Sequence, residues 1–188
     1  MVTFDATILL LLLAPNVPAP TDPATGKPVE CCRERIEFLI EDLENKKTTI
    51  IIPTPALSEV LVRAETAAPE YLNLLKQSSA FKIEAFDERA AVEVAHMTRE
   101  ALKLKRHANT KEAWAKAKFD RQIVAIAKVN GSTVIYSDDH GVRALGQSHQ
   151  MTVIGIAQLP LPPVIGQTQM FTTEETTHGK QAVLPKPK

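Results

Sequence analysis

Apolar residues recur along the chain in two patterns, as short β-branched runs and as longer stripes with helical spacing. The short runs predict strands, because covered parallel strands are continuously apolar and half-covered strands alternate. The strands are expected at residues 2–4, 49–52, 81–86, 133–136 and 152–156. The stripes and their flanking capping residues and prolines predict helices at residues 8–13, 30–45, 55–65, 69–77, 88–102, 111–129 and 140–147.

The order of these elements predicts the fold class. Strands alternate with helices along the chain, which is typical of an α/β fold with a mainly parallel central sheet. Thr54 is expected to cap the helix that follows the second strand, and Asp87 to cap the helix after the third.

Two segments lack any period. Residues 15–28 hold five of the thirteen prolines, and residues after Leu159 are rich in proline, threonine and charge. We therefore expect one domain over residues 1–158, with a proline-rich loop at 15–28, and an extended or disordered tail over 159–188.

Composition narrows the class of protein. Twenty-two Lys and Arg balance twenty-two Asp and Glu, so any basic surface must be local. Cys31 and Cys32 are adjacent, which disfavours both a disulfide framework and a cysteine-based zinc site. The apolar run at residues 6–14 has the length of a signal-peptide core, but it follows an acid rather than the basic segment that a signal peptide has. It is also too short to span a bilayer. We expect a cytoplasmic protein that does not enter a membrane.

Three acidic residues follow predicted strands. Asp5 comes after the first strand, and Asp138 and Asp139 come after the fourth. Ligands of open α/β sheets bind beyond the carboxyl ends of the strands, so these side chains are candidates for one shared site. Each of them has an alternative role as the cap of the next helix.

Asp120 is the most informative acid, because it lies on the apolar row of a predicted helix. That row consists of Ala113, Ala117, Val124 and Ala127. Burial of an ionised carboxylate costs several kcal/mol unless a cation or a proton accompanies it. The alternative to a functional cation is a buried salt bridge, with Arg121, Lys128 or an arginine elsewhere in the chain.

Glu59 stands one turn into the helix after the second strand, and its neighbours at three residues, Ala56 and Val62, suggest that it faces inward. The alternative is a favourable interaction with the helix dipole. Carboxylates without a His or Cys cluster form an oxygen-ligand site, which suits Mg²⁺ or Mn²⁺ better than zinc. Such an ion can activate water for attack on a phosphodiester.

Four motifs in this order resemble the PIN-domain nucleases, and most of all the VapC-type toxin ribonucleases of VapBC toxin–antitoxin pairs. They are the first strand with its Asp, PALSEV at 55–60, FDRQIVAIAK at 119–128 and VIYSDD at 134–139. The resemblance covers about residues 1–158. It implies a three-layer α/β/α fold, a Mg²⁺- or Mn²⁺-dependent endoribonuclease, a homodimer, and a cognate antitoxin as partner.

The resemblance also assigns residues to the site. It makes Asp5, Glu59 and Asp120 the first three acids and metal ligands, and the acid after the fourth strand the last. The family's hydroxyl-x-Asp spacing fits Ser137 with Asp139 better than with Asp138, and both acids stay candidates. Thr7 and Ser137 would support the metal ligands, although the family commonly has Asn or Ser at the position of Thr7.

Positive charge is concentrated beside Asp120. The candidate RNA contacts are Lys103, Lys105, Arg106, Lys111, Lys116, Lys118 and Arg121. Lysine and arginine contacts to phosphate give the sequence-independent affinity that a nuclease needs, although a solvated helix face is the alternative. Trp114, the single tryptophan, lies among them and either stacks on a base or packs in a core or a dimer contact.

Two other functions compete with the toxin ribonuclease. The main alternative is a PIN-like RNA- or protein-binding module without activity. The complete set of acids in this chain counts against that alternative, because an inactive site usually lacks at least one of them. A haloacid-dehalogenase-like phosphotransfer domain would have a second Asp two residues after Asp5, where this chain has Thr7.

Overall fold

The computed structural model describes residues 1–14, 16–104 and 110–163, and within them a five-stranded sheet forms the centre of the molecule. The strands are β1 (Val2–Phe4), β2 (Ile50–Pro53), β3 (Phe81–Glu84), β4 (Val134–Tyr136) and β5 (Thr152–Ile154). Their order is β3-β2-β1-β4-β5, and every neighbouring pair is parallel. The predicted α/β fold with a parallel sheet is confirmed.

Helices connect the strands and cover both faces of the sheet, as parallel pairing requires. They are α1 (Ala6–Leu13), α2 (Cys32–Asn45), α3 (Thr54–Ala64), α4 (Ala68–Gln77), α5 (Glu88–Lys103), α6 (Lys111–Val129) and α7 (His140–Ser148). Short 3₁₀ turns occupy Glu65–Ala67 and Ile156–Gln158.

The alternation of side chains along each strand divides the core in two. Ile50 and Ile52 of β2 pack in one apolar cluster with α1, α2, α3 and α4, whereas Ile51 packs in the other with α5, α6 and α7. In the same way, Tyr136 and Ile135 of β4 belong to opposite clusters. The result is the three-layer α/β/α arrangement.

Helix ends differ from the sequence prediction in places. The cap of α3 is Pro53, and Thr54 is already helical, with its Oγ1 accepting a hydrogen bond from the Phe86 amide at 3.2 Å. The prediction that Thr54 caps this helix is therefore wrong by one residue. Asp87 caps α5 as expected, since its Oδ1 accepts from the Ala90 amide at 2.9 Å.

The peripheral segments add local structure. In the proline-rich loop, Asp22 accepts a hydrogen bond from the Ala24 amide at 2.9 Å, and Gly26 turns the chain with a φ of 69°. Leu159 is buried in the core, so the packed part of the chain continues past residue 158. The tail expected to be extended lies, from residue 164 onward, outside the described residues. Cys31 and Cys32 are both free thiols.

No helix among the described residues combines the length and apolar character needed to cross a membrane.

Candidate active site

The register of the two central strands brings Asp5 and Ser137 together. Phe4 of β1 pairs with Tyr136 of β4, so the residues that follow them leave the sheet side by side. The Ser137 hydroxyl donates to Asp5 Oδ2 at 2.6 Å, and the Ala6 amide donates to Asp5 Oδ1 at 2.7 Å. Both carboxylate oxygens of Asp5 are thus held in place, and the residue is only 4% exposed.

No cation among the described residues forms an ion pair with Asp5, and Lys116 acts on it only through its charge. Burial raises its pKa from 3.8 to about 6, against the lowering effect of the hydrogen bonds from Ser137 and Ala6. The negative charges of Asp139 and Glu59 raise the pKa further. A carboxylate in this state is poised to accept a cation or a proton.

Asp139 connects this pair to α7. Its backbone amide donates to the Ser137 hydroxyl at 3.0 Å, and its Oδ1 caps the helix by accepting from the amides of Gly141 at 2.6 Å and Val142 at 3.1 Å. Its Oδ2 accepts from the Lys116 ammonium at 2.6 Å. Burial alone would raise the pKa of Asp139, but the bonds from Lys116, Val142 and Gly141 outweigh it and lower the pKa.

Asp120 approaches from α6. Burial is the largest cause that raises its pKa to about 6, the charge of Asp139 is the next, and the cations Lys116 and Arg121 only partly offset them. Within the described residues, no hydrogen bond to Asp120 contributes to this pKa shift. The salt bridge considered for Asp120 with Arg121 or Lys128 does not form there either, since Lys128 pairs with Glu93.

Gly141 is the point at which two of the carboxylates meet. A Cβ placed on it would overlap Asp120 Oδ2 and would lie 3.1 Å from Asp139 Oδ1. Sequence reasoning missed this residue. The available signal was a glycine in the first turn of a helix, where it destabilises the helix relative to alanine and usually reflects a close approach.

Lys116 supplies the positive charge of the site. Its pKa is raised, first by the hydrogen bond to Asp139 and then by the charges of Asp139, Asp120 and Asp5. The same ammonium therefore interacts with all three acids, while its side chain remains 59% exposed. The sequence singled out Lys116 as a candidate RNA contact, and the structure places it within the acidic cluster itself.

Glu59 lies at the border of the cluster. Its side chain points into solvent and forms an ion pair with Arg63 of the same helix at 3.3 Å. The expectation that it faces inward is wrong, because its own side chain is 52% exposed, and Val62, one of its two apolar neighbours, is 77% exposed. Its negative charge nevertheless helps to raise the pKa of Asp5.

Asp138 turns away from the cluster. Its Oδ1 accepts from the Ile156 amide at 3.1 Å, and a Cβ on Gly155 would overlap that oxygen and lie 2.7 Å from Arg143 Nη2. Burial raises its pKa, and neither Asp5 nor Asp120 contributes to the shift. The structure thus brings Asp139, and not Asp138, together with the other acids.

The remaining candidates are dispersed. Lys103 and Lys118 are exposed, whereas Arg121 is 6% exposed and lies inside the molecule. Lys105 and Arg106 fall outside the described residues, as does the side chain of Lys111. Thr7 lies in the first turn of α1, two residues after Asp5, and is partly exposed.

The described residues hold no ready-made set of three or more His, Cys, Asp or Glu ligands at metal-binding distances. The side chains that could supply such a set are Asp5, Asp120 and Asp139, with Lys116 in contact with one of them. Their oxygens are the donors that Mg²⁺ and Mn²⁺ prefer.

A solved structure shares this architecture. The chain superimposes on a structure described as VapBC2 from Rickettsia felis bound to a DNA fragment from their promoter, with a TM-score of 0.56 and 12% sequence identity. The match covers 82% of this chain and 98% of the other. The chain has a PIN-like fold. At this identity the likeness concerns the fold alone. No protein-family model and no curated protein matches the sequence.

Proposed function

We propose that this PIN-like protein is a metal-dependent endoribonuclease and acts as the toxin of a type II toxin–antitoxin pair. One observation carries the proposal: carboxylates from three distant parts of the chain, Asp5, Asp120 and Asp139, converge at the carboxyl edge of the sheet with too little positive charge around them. Asp139 is paired with Lys116, but no described cation forms an ion pair with Asp5 or Asp120, as expected for acids that serve a divalent cation rather than structural salt bridges.

The side chains fit Mg²⁺ or Mn²⁺ by their chemistry. They are hard oxygen donors, and the pKa values of Asp5 and Asp120, both raised to about 6, reflect charge that a cation would stabilise. The missing Cβ of Gly141 lets the Asp120 carboxylate lie against the start of α7, close to Asp139. When bound, such an ion would activate water and neutralise developing charge on a phosphodiester.

The residues of the chain itself would orient this site. The Ser137 hydroxyl holds Asp5 and receives the Asp139 amide, so a single side chain fixes two of the three acids. Asp139 Oδ1 is committed to the start of α7, which leaves Oδ2 for a ligand. Lys116 then has two possible partners, Asp139 or a phosphate oxygen of the substrate.

The surface near the acids suits RNA. Lys103 ends α5, and Lys116 and Lys118 lie on the N-terminal half of α6, all with exposed side chains. Cations at such positions give affinity for phosphate that falls with salt and is independent of sequence. We infer that the RNA backbone crosses this part of α6 on its way to Asp120.

The likeness to the structure described as VapBC2 supports the toxin assignment and the antitoxin partner. We infer that a small antitoxin binds this chain and that the chain forms a homodimer. A reading frame for a short DNA-binding protein beside the gene, and recovery of the two products as one complex after co-expression, would support the pair. A chain that cleaves RNA but never binds the neighbouring product would be a nuclease of another role.

Purified protein and single-stranded RNA test the activity. We expect cleavage with Mg²⁺ or Mn²⁺, no cleavage in EDTA, and a loss of more than about 100-fold in Asp120→Asn, beyond what indirect support of a metal ligand costs. Glu112→Gln, an exposed acid on the same helix, is the matched control and should keep wild-type activity. Cleavage that persists in EDTA or in Asp120→Asn would refute the proposal.

One observation favours a second function. Lys116 already provides a cation to the acids, which is what a binding module without activity would need to keep the cluster stable. Isothermal titration with Mn²⁺ separates the two functions, because the nuclease must bind the ion and the inactive module need not.

A further inference from the structure

A cavity of about 460 Å³ opens beside Asp120, enclosed by α5, α6 and α7. Asp120 and Gly141 form the end that adjoins the acidic site, and Arg121 lies on the α6 side. The opposite wall comes from α5 and α7, with Met97 and Leu145 among its residues. The volume is within the range of small-molecule sites.

Arg121 affects the acidic site only through its charge, which partly offsets the raised pKa of Asp120. Its environment is unusual for a guanidinium. It is 6% exposed, yet it forms no ion pair among the described residues. Its Nη1 donates a long hydrogen bond of 3.4 Å to the Ala117 carbonyl, and its Nε has no partner within residues 1–14, 16–104 and 110–163. A buried cation with an unmet donor is costly, so an arginine kept in this state is expected to serve a ligand.

Trp114 covers the guanidinium. The Arg121 Cζ lies 5.5 Å from the centroid of the indole ring, and this ring is 40% exposed. The contact fixes the orientation of the guanidinium on the wall of the cavity. Trp114 does not line the cavity, but its contact with the guanidinium makes the one tryptophan of the chain a reporter of changes at Arg121.

The remaining walls define the chemistry of the ligand. They are largely apolar, being formed in part by Met97, Ala101, Leu104 and Leu145. The carboxylates of Glu100 and Asp120 also line the cavity and would repel a phosphate. A flat uncharged ring fits the apolar walls and is not repelled by the carboxylates. Hydrogen-bond acceptors at one edge of such a ring would meet the guanidinium of Arg121.

We propose that this cavity is a nucleobase subsite, in which Arg121 reads the acceptor edge of an unstacked guanine next to the scissile phosphate. Guanine presents O6 and N7 side by side, the pair that a guanidinium recognises with two hydrogen bonds. The inference rests on the proposed ribonuclease function for the position of the phosphate, since Asp120 borders both the cavity and the acidic site. Sequence-specific proteins read single-stranded RNA through bases splayed out in this way.

The fluorescence of Trp114 tests the subsite without catalysis. In EDTA, titration with the four nucleoside 5′-monophosphates should change the emission, with GMP bound about tenfold more tightly than AMP or UMP. Arg121→Met should abolish the preference and remain folded, because a buried charge without a partner can be replaced by an apolar side chain without loss of stability. Equal affinity for all four nucleotides, a preference for a base without two adjacent acceptors, or a preference that survives Arg121→Met would overturn the proposal.

A second variant closes the cavity. Ala144 is exposed on α7 and lines the cavity, so Ala144→Leu should weaken GMP binding while the acids keep their contacts. Gln147→Leu, on the same helix but outside the cavity lining, is the matched control and should bind GMP as the wild type does. Weakened binding in neither variant, or to the same degree in both, would count against this cavity as the site.

Cleavage assays then separate the subsite from the proposed function. With RNAs that differ in one base, we expect the wild type to cut beside guanine about tenfold faster than beside adenine, and Arg121→Met to cut both at equal rates while it still binds Mn²⁺. Cleavage by the wild type without any base preference would refute the subsite alone. GMP binding that depends on Arg121 without any cleavage would refute the nuclease and leave the subsite standing.

Discussion

The Asp120 carboxylate lies against the backbone of Gly141, in the space that the Cβ of any other residue at position 141 would occupy. This contact joins α6 to the first turn of α7 and sets the distance of Asp120 from Asp139. The absence of a side chain at position 141 is therefore part of the acidic site.

Gly141→Ala is expected to move Asp120 away from Asp139 and to weaken Mn²⁺ binding by about 10- to 100-fold, the range seen when the support of a metal ligand is lost. The measurement is isothermal titration with Mn²⁺, together with the rate of RNA cleavage. Gly155→Ala is the matched control, since its Cβ would overlap Asp138 rather than a proposed ligand. Unchanged Mn²⁺ affinity in Gly141→Ala would contradict this role of the glycine.

Asp120→Asn should stabilise the metal-free protein near neutral pH. The pKa of Asp120 is raised to about 6 from 3.8, so the folded chain holds a proton more tightly than the unfolded chain does, and this group costs stability as pH rises from about 4 to about 6. Removal of the charge should add about 1–2 kcal/mol to the free energy of unfolding at about pH 7.5, and almost nothing at about pH 4.

Urea unfolding in EDTA at the two pH values measures this effect. Asp5, whose pKa is also raised to about 6, contributes in the same direction in wild type and variant alike. Asp139 has a lowered pKa and therefore adds to the stability of the folded protein. That contribution is lost only when the pH falls below the ordinary pKa of an aspartate. A variant that is less stable than wild type at the higher pH would show that Asp120 is already compensated.

Lys116→Met tests the balance between the ammonium and a metal ion. The ammonium is bonded to Asp139 and interacts with Asp120 and Asp5, so its removal should tighten Mn²⁺ binding by about tenfold, as expected for one charge at short range near a protein surface. Lys118→Met removes an exposed charge two residues away and serves as the control. Weaker Mn²⁺ binding in Lys116→Met would mean that the lysine supports the ion rather than competing with it.

Asp139→Asn and Asp138→Asn should behave differently although the two residues are adjacent. Asp139 contacts Lys116 and adjoins Asp120, so its replacement should abolish Mn²⁺ binding and RNA cleavage. Asp138 instead accepts from the Ile156 amide through Oδ1, an acceptor that Asn keeps, so its replacement should leave both in place and should not lower the stability of the protein. The reverse result would transfer the fourth acidic position to Asp138.

Ser137→Ala should destabilise the protein and loosen the site together. The hydroxyl is buried, donates to Asp5 and accepts from the Asp139 amide, so its removal leaves two buried groups without a partner at a cost of about 1–3 kcal/mol. Thermal unfolding and Mn²⁺ titration measure the two effects. Ser148→Ala, at an exposed hydroxyl, is the control.

Local patterns predicted the fold well, because its elements have strong periods and clear ends. The apolar run at 49–52 and the capping Asp87 both correspond to elements within one or two residues. Asp120 was recognisable as an acid on an apolar row, and its position at the border of the core gives the physical reason for its raised pKa.

The sequence was less informative where long-range geometry decides the outcome. The orientation of Glu59 depends on how α3 is rotated against the sheet, and the three-residue spacing to Ala56 and Val62 gave the wrong face. The ion pair between Lys116 and Asp139 joins residues 23 positions apart, and no local sequence pattern predicts it. The burial of Arg121 among lysines that stay exposed depends on the same packing of α6 against α5 and α7.

The central position of β1 has a consequence for the folding of the chain during synthesis. Thr3 Oγ1 donates to Ser132 Oγ at 2.8 Å, across 129 positions of sequence, and β1 pairs with β4, so β1 can complete its place in the sheet only after the chain as far as β4 has been made. Contacts of such high sequence separation form slowly. A nascent or prematurely terminated chain that ends before Asp139 therefore lacks the acidic site, and the activity proposed for this protein would arise only after nearly the whole domain has been made.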